Sequence, residues 1–237
     1  MDRVRRGGVA LAAVGTVLLA GCGSDASTEE DTSLPALGPV VPAAAAAGPP
    51  ITESQRLAAL LLDEQDLPAG MEAAPRSDAE STTTVGAAST DPAACAEVLQ
   101  PLARQRPDAL TRSAVGFNGP NFSSVDIDAA TYPSEKLSAA FAEFQQTLRG
   151  CTRYSGTDAD ATVIEYRLGG LAQPAAGDAS TAYQLRLTSE GLTLVALVGL
   201  VQVGNTLAQI SVTAPESVDP GVLSDLTAAQ VRRLSGT

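Results

Sequence analysis

The sequence predicts an α+β domain: an antiparallel sheet with a C-terminal meander, helices packed on it, and one disulfide. Three observations carry that prediction. Three consecutive strand-like runs, 181–188, 192–203 and 206–213, fill the C-terminal third, the last two joined by a two-residue Gly204-Asn205 turn. Leu137, Phe141, Phe144 and Leu148 recur at helical spacing behind Pro133 and ahead of Gly150, a plausible C-cap. Of three cysteines, Cys22 is accounted for by the leader, which leaves Cys95 and Cys151 as an even pair.

The leader comes first in the chain. Met1 to Arg6 is short and positive, and residues 7–20 carry no charge. That apolar run is well short of the roughly 20 residues of a spanning helix and fits a secretory signal over residues 1–21. Its end, Leu19-Ala20-Gly21-Cys22, resembles the lipobox of bacterial lipoproteins. The resemblance implies that the Cys22 thiol takes a diacylglyceryl group and that the chain is cut before it. Two or more acyl chains anchor a protein stably. The expected location is the outer face of the cell membrane, with export by the general route rather than through the Arg5-Arg6 pair.

Residues 22–50 read as the lipidated Cys and a disordered tether. Polar residues are followed by Pro35, Pro39, Pro42, an alanine run at 43–47 and Pro49-Pro50, with no amphipathic period. Residues 51–237 form one domain. The full chain carries net charge −12; without residues 1–21 it has 12 basic and 26 acidic residues, net −14. That balance argues against nucleic acid as a partner and against electrostatic adhesion to anionic lipid, since both need basic patches.

Element by element, Thr52-x-x-Gln55 suggests a capping box before a short helix with Leu57, Leu60 and Leu61. A strand over 71–76 and a polar loop over 77–90 follow. Asp91-Pro92 opens a helix whose face holds Cys95, Val98, Leu99 and Leu102, ended or kinked by Pro101. Strands are expected at 112–118 and 122–130, the second alternating Val125, Ile127 and Ala129 with Asp126 and Asp128. Ile164, Tyr166 and Leu168 mark another strand beyond the Pro133 helix. In the meander, a three-residue turn at 189–191 places Tyr183 and Leu185 on the Val195/Leu197 face. The other face then carries Leu194, Val198, Leu200 and Leu207 among Gln184, Arg186, Gln209 and Ser211. Asp219-Pro220 caps a last helix with Leu223, Leu226, Val231 and Leu234 on one side.

Cys95 and Cys151 both fall on apolar helix faces, and in an exported chain such a pair favours a disulfide. Closing that loop contributes about 4 kcal/mol in the chain-entropy account.

A resemblance follows from the order of these features. Asp66-Leu-Pro-Ala-Gly70 lies early, the first Cys sits on a helix, and Tyr132-Pro133 opens a helix running through Phe141-Ala-Glu-Phe144 to Gly150-Cys151. Val203-Gly-Asn-Thr206 forms a late hairpin before a terminal helix. Over residues 52–235 this is similar to the extracellular sensor domain of PknH-type actinobacterial Ser/Thr kinases, which also occurs in free-standing lipoproteins. The resemblance implies an α+β fold with a cleft, usually two disulfides, and ligand sensing. This chain has one cysteine pair and no kinase segment, so a sensor would need a separate signalling partner.

The chain has no His, which removes Ser-His-Asp and Cys-His catalysis and the commonest zinc ligand. Lys136 is the only lysine and lies outside any S-x-x-K. No phosphate loop or dinucleotide fingerprint occurs, so no cofactor, metal site or catalytic residue is assigned. The leading expectation is a non-enzymatic sensor or binding domain whose ligand is a small molecule, a cell-wall fragment or a protein. Gln184, Arg186, Leu194, Val198, Leu200 and Gln209 form the candidate ligand face, either open or covered by a terminal helix. The alternative is a cell-envelope hydrolase using Asp126 and Asp128, two apart on one strand face. Asp158 and Asp160 read as a polar turn before a weak calcium site. Arg153, Arg167 and Arg186 read as cationic anchors or as scattered surface charges.

Overall fold

A computed structural model describes residues 33–75, 89–102 and 108–236. The signal peptide, Cys22, the first part of the expected tether and most of the 77–90 loop lie outside the described residues. The strands are β1 (Glu72–Ala73), β2 (Ser89–Asp91), β3 (Thr111–Asn118), β4 (Ser124–Thr131), β5 (Arg153–Thr157), β6 (Val163–Gly170), β7 (Ala179–Ser189), β8 (Leu192–Val203) and β9 (Thr206–Pro215). They form one sheet in the order β1-β3-β4-β9-β8-β7-β6-β5-β2, antiparallel throughout. The helices are α1 (Ser54–Ala58), α2 (Ser134–Gly150) and α3 (Pro220–Ser235). The α+β class and its single disulfide, Cys95–Cys151, stand as expected.

The sheet is covered on both faces in its middle. On one face α2 places Leu137, Phe141, Phe144 and Leu148 over Tyr183, Leu185, Val198, Leu200 and Leu207. On the other, α1 and α3 place Leu57, Leu61, Leu223 and Leu226 over Val125, Ile127, Val195, Leu197 and Ile210. Strand β8 is the centre of this arrangement, buried from Val195 to Gln202. Its near-continuous apolar run follows from having helices on both sides.

Several expectations are corrected. Turn 190–191 has two residues, not three: Ser189 pairs with Leu192, and Glu190 and Gly191 both have positive φ, 50° and 81°. That is the turn geometry that matches strand twist. Tyr183 and Leu185 therefore lie opposite Val198 and Ala196 on the α2 face, while Gln184 and Arg186 lie opposite Leu197 and Val195. The segment after Asp91 is a 3₁₀ turn (Ala93–Leu99) rather than an α-helix. Gln100 is extended, at φ −88° and ψ 148°, because Pro101 bars it from the helical region. The Thr52/Gln55 capping box is absent, since Glu53 is the N-cap and makes no side-chain cap bond; a capping box forms instead between Asp63 and Asp66. Strands β2 and β5, unforeseen, finish the far edge; β2 is the polar Ser-Thr-Asp stretch that an edge strand tolerates.

The largest correction concerns residues 34–50. They were expected as a free tether, yet they belong to the unit Leu34–Thr237 and run along the α2 side as an ordered strap. Two buried glutamines hold its backbone. Gln145 accepts from Val41 N at 2.8 Å and donates to Val41 O at 2.9 Å. Gln202 accepts from Ala44 N at 2.9 Å and donates to Ala44 O at 3.0 Å. Asn205 Nδ2 donates to Gly48 O at 2.8 Å, and Gly170 N donates to Pro35 O at 2.7 Å. Leu37, Val41, Ala43 and Ala46 pack onto the α2-side core. The physical reason is that an extended segment can satisfy its backbone through distant side chains without any helical or strand period of its own.

Candidate ligand groove

Helix α2 and the strap cover one half of their sheet face. Beside them lies a groove of about 970 Å³, whose floor includes buried residues that α2 also packs against. Its floor follows from the pairing register. Asp126 lies opposite Ser211, Ser211 opposite Val198, and Val198 opposite Tyr183, so these four form one row across β4, β9, β8 and β7. One step away, Asp128 lies opposite Gln209 and Gln209 opposite Leu200. Leu185, Leu187, Leu194 and Ala196 extend the apolar floor. One wall is the end of the 3₁₀ turn, Val98 and Leu99 with Gln100 and Pro101; the other is the β1 end, Ala73 to Pro75. The disulfide fixes the first wall by joining the 3₁₀ turn to Cys151, just past α2.

The six residues of the expected ligand face divide. Leu194, Val198 and Gln209 line the groove. Leu200 is on the same face but fully buried beneath α2 and the strap. Gln184 and Arg186 are on the opposite face, and the two-residue turn puts them there. Asp126 and Asp128, weighed as a catalytic pair, both line the groove. Sequence reasoning missed Tyr183, Leu185 and the Val98–Pro101 wall as groove residues: the first two through the register, the last because the groove pairs segments far apart in the chain.

Electrostatically the groove favours donors. Desolvation pushes the Asp126 carboxyl above its ordinary value, while a bond from Ser124 Oγ at 3.1 Å pulls the other way. Gly116 makes room for this carboxylate, since a Cβ there would lie 2.9 Å from Asp126 Oδ1. The Gln209 Oε1 atom is buried and has no hydrogen-bond partner. An unmet buried acceptor costs about 1–3 kcal/mol, which a ligand N–H or O–H would recover. No Arg or Lys lines the groove among the described residues.

The other candidates resolve differently. Asp158 Oδ1 accepts from Asp160 N and Thr162 N, both at 2.9 Å, so it holds a polar turn together. Among the described residues no group of three or more acidic, Cys or His side chains is placed to hold a metal.

What these features define is an antiparallel α+β domain with a mixed-polarity groove on one sheet face. The extracellular domain of PknH from Mycobacterium tuberculosis shares that fold: its crystal structure aligns at a TM-score of 0.60 and 13% identity, covering 81% of this chain and 100% of that one. An uncharacterized protein from Mycobacterium smegmatis aligns at a TM-score of 0.37 and 11% identity, covering 83% of this chain and 90% of its own. No family model and no curated protein sequence matches the chain. The PknH-like fold expected from the order of sequence features is the fold observed.

Proposed function

We propose that this protein is a lipoprotein anchored through Cys22 to the outer face of the cell membrane, and that its domain is a non-enzymatic sensor or binding module. The observation that carries the binding reading is the groove: an apolar floor, two carboxylates and the buried, unmet Gln209 acceptor. That mixture suits a ligand with an apolar body and hydrogen-bond donors, such as an amine or an amino sugar. The likeness to an extracellular domain supports the location. The lipobox at 19–22 supports the anchor, and among the described residues no helix is long and apolar enough to cross a membrane.

Thermal shift of the full chain against cell-wall fragments, amino sugars and lipids tests the binding reading. A hit should be lost in Leu194→Asp, which charges the floor at a position 38% exposed and so tolerant of the change. No shift with any such compound would weigh against it. Cys22→Ser should move the protein out of the membrane fraction, and retention there would overturn the anchor.

One observation favours a second reading as a carboxylate hydrolase: both aspartates line the groove and Asp126 is raised. In that case Asp126→Asn would abolish hydrolysis of a wall glycan, whereas for a binding module it would change affinity alone.

A further inference from the structure

The strap of residues 34–50 has no polar side chain, so its fit to the domain rests on its backbone and its shape. Its backbone bonds fall on every third residue. Pro35 O accepts from Gly170 N, and Gly38 O from the Arg149 guanidinium. Val41 bonds through both N and O with Gln145, and Ala44 through both N and O with Gln202. Burial keeps the same period. Leu34, Leu37, Val40, Ala43 and Ala46 are half-buried, whereas Ala36, Pro39, Pro42, Ala45 and Gly48 are exposed. Three faces that repeat every three residues, in a proline-rich run, mark a polyproline II helix. Such a helix makes no internal backbone bonds. The amides of Gln145 and Gln202, 4% and 0% exposed, supply bonds in their place.

Two features let this helix leave as one piece. It joins the body through Gly48-Pro49-Pro50, beyond which Ile51 packs into the core on the other sheet face. Gly48 makes the turn, at φ 73°, whereas a residue before proline prefers extended backbone. Rotating Gly48 alone into the extended region swings the strap off the sheet. The vacated site is then an apolar floor with two buried glutamine amides stripped of their strap partners, which is unfavourable to leave bare.

We infer that the strap site is a receptor for a polyproline II segment, and that its occupant in trans is the strap of a second copy of this chain, exchanged between two molecules. The contacts carry the choice of occupant. Paired glutamine bonds three residues apart need an uncharged extended segment with an N–H at both positions, which Val41 and Ala44 provide. Prolines fall where no N–H is used: Pro35 bonds through its O, and Pro39 and Pro42 face solvent. A second strap meets each of these requirements, and every bond lost on opening is remade in the partner. Exchange of an identical element is a low-cost route to a dimer.

The first measurement is sedimentation equilibrium of the full chain over a range of concentrations. Gly48→Ala has room for its Cβ but is strained at positive φ, so it weakens the closed turn and leaves the strap's contacts alone. It should dimerise about tenfold more strongly than wild type or better. Gly48→Asn should fall between the two, since Asn tolerates positive φ. Exchange itself is read on a mixture of heavy-isotope and ordinary Gly48→Ala chains that also carry Leu37→Met, grown with the diazirine analogue of methionine. Leu37 packs on the α2-side core, and Met keeps its volume. In the dimer, crosslinks from position 37 should join a heavy strap to an ordinary body and the reverse; in the monomer, both peptides should come from one chain. A Gly48→Ala chain that stays monomeric at every concentration overturns the inference. So does a dimer whose crosslinks from position 37 stay within one chain, or a monomer cut freely at residues 43–47, which would show a strap released rather than exchanged. The groove residues are unchanged in all these variants, so failure here leaves the groove's own ligand test standing.

Discussion

Gln202 is fully buried, and both ends of its amide are engaged by the strap backbone at Ala44, with a further bond from Nε2 to Gly204 O at 3.1 Å. Gln202→Leu keeps the volume and removes every one of those bonds. It leaves the Ala44 N–H and C=O facing an apolar side chain, so a loss of about 2–4 kcal/mol is expected by urea denaturation. A cost below about 1 kcal/mol would mean that the strap backbone finds water instead. Arg233 is the second residue whose side chain ties remote segments. It donates to Leu61 O at 2.8 Å and sits between Asp63 and Asp66, at 2.5 and 2.6 Å. The hydrogen bond from Arg233 holds the Asp63 carboxyl below its ordinary value of 3.8. A carboxyl lowered on folding stabilises above its unfolded pKa and loses that contribution as pH falls through its folded one. The melting-temperature gap between wild type and Arg233→Ala should therefore be constant from neutral pH to about pH 4, then narrow below it. It should not close, because the bond to Leu61 O does not titrate.

At the scale of elements, the hairpin of β7 and β8 shows what local pattern can and cannot fix. The Gly204-Asn205 turn was legible, and the pairing Val201 with Ala208 and Leu197 with Val212 follows from it. The turn before it was misread on the assumption that one face is apolar and the other polar. Strand β8 is apolar on both, because α2 covers one side and α3 the other, so β8 gives no preference between registers. Gln184 and Arg186 can face the α3 side because β7 supplies no buried member of that core, and Gln184 Nε2 finds Gly170 O at 3.1 Å. The misreading split the candidate ligand face and hid Tyr183 and Leu185 from the groove. Glu190 holds a positive φ of 50° that Asn adopts more readily. Glu190→Asn is expected to raise stability by about 0.5 kcal/mol, and a decrease would argue against this register. The disulfide was legible because cysteine parity and compartment decide it without geometry. Its removal by Cys95→Ser with Cys151→Ser should cost up to about 4 kcal/mol by the same denaturation measurement. That substitution also frees the Val98–Pro101 wall from α2, so groove ligands should weaken along with stability.

At the scale of the whole molecule, the strap decides where the domain begins. Residues 34–50 look like linker because their partners are remote: Val41 meets Gln145 across 104 positions, and Ala44 meets Gln202 across 158. Only the closed fold brings them together. The strap lies against Gly169 and Gly170, where a side chain would collide with it: a Cβ on Gly170 would come within 2.4 Å of Ala36 O, and one on Gly169 within 2.4 Å of Leu34 Cβ. Gly170 has no positive φ, so a strand-favouring residue fits its backbone, and only the strap objects. Gly170→Val should therefore push the strap off near Ala36 and leave the sheet folded. The run at 43–47 supplies the assay, because five successive alanines suit an elastase-type protease with its small specificity pocket. Cleavage there requires the strap to lift away from Gln202 first, so its rate reports that local opening. Wild-type protein should resist cutting at 43–47, and Gly170→Val should be cut there about tenfold faster or more, with its circular dichroism spectrum unchanged. Rapid cutting of the wild type while the remaining domain stays intact would show the strap to be free, and would return residues 34–50 to the tether the sequence suggested.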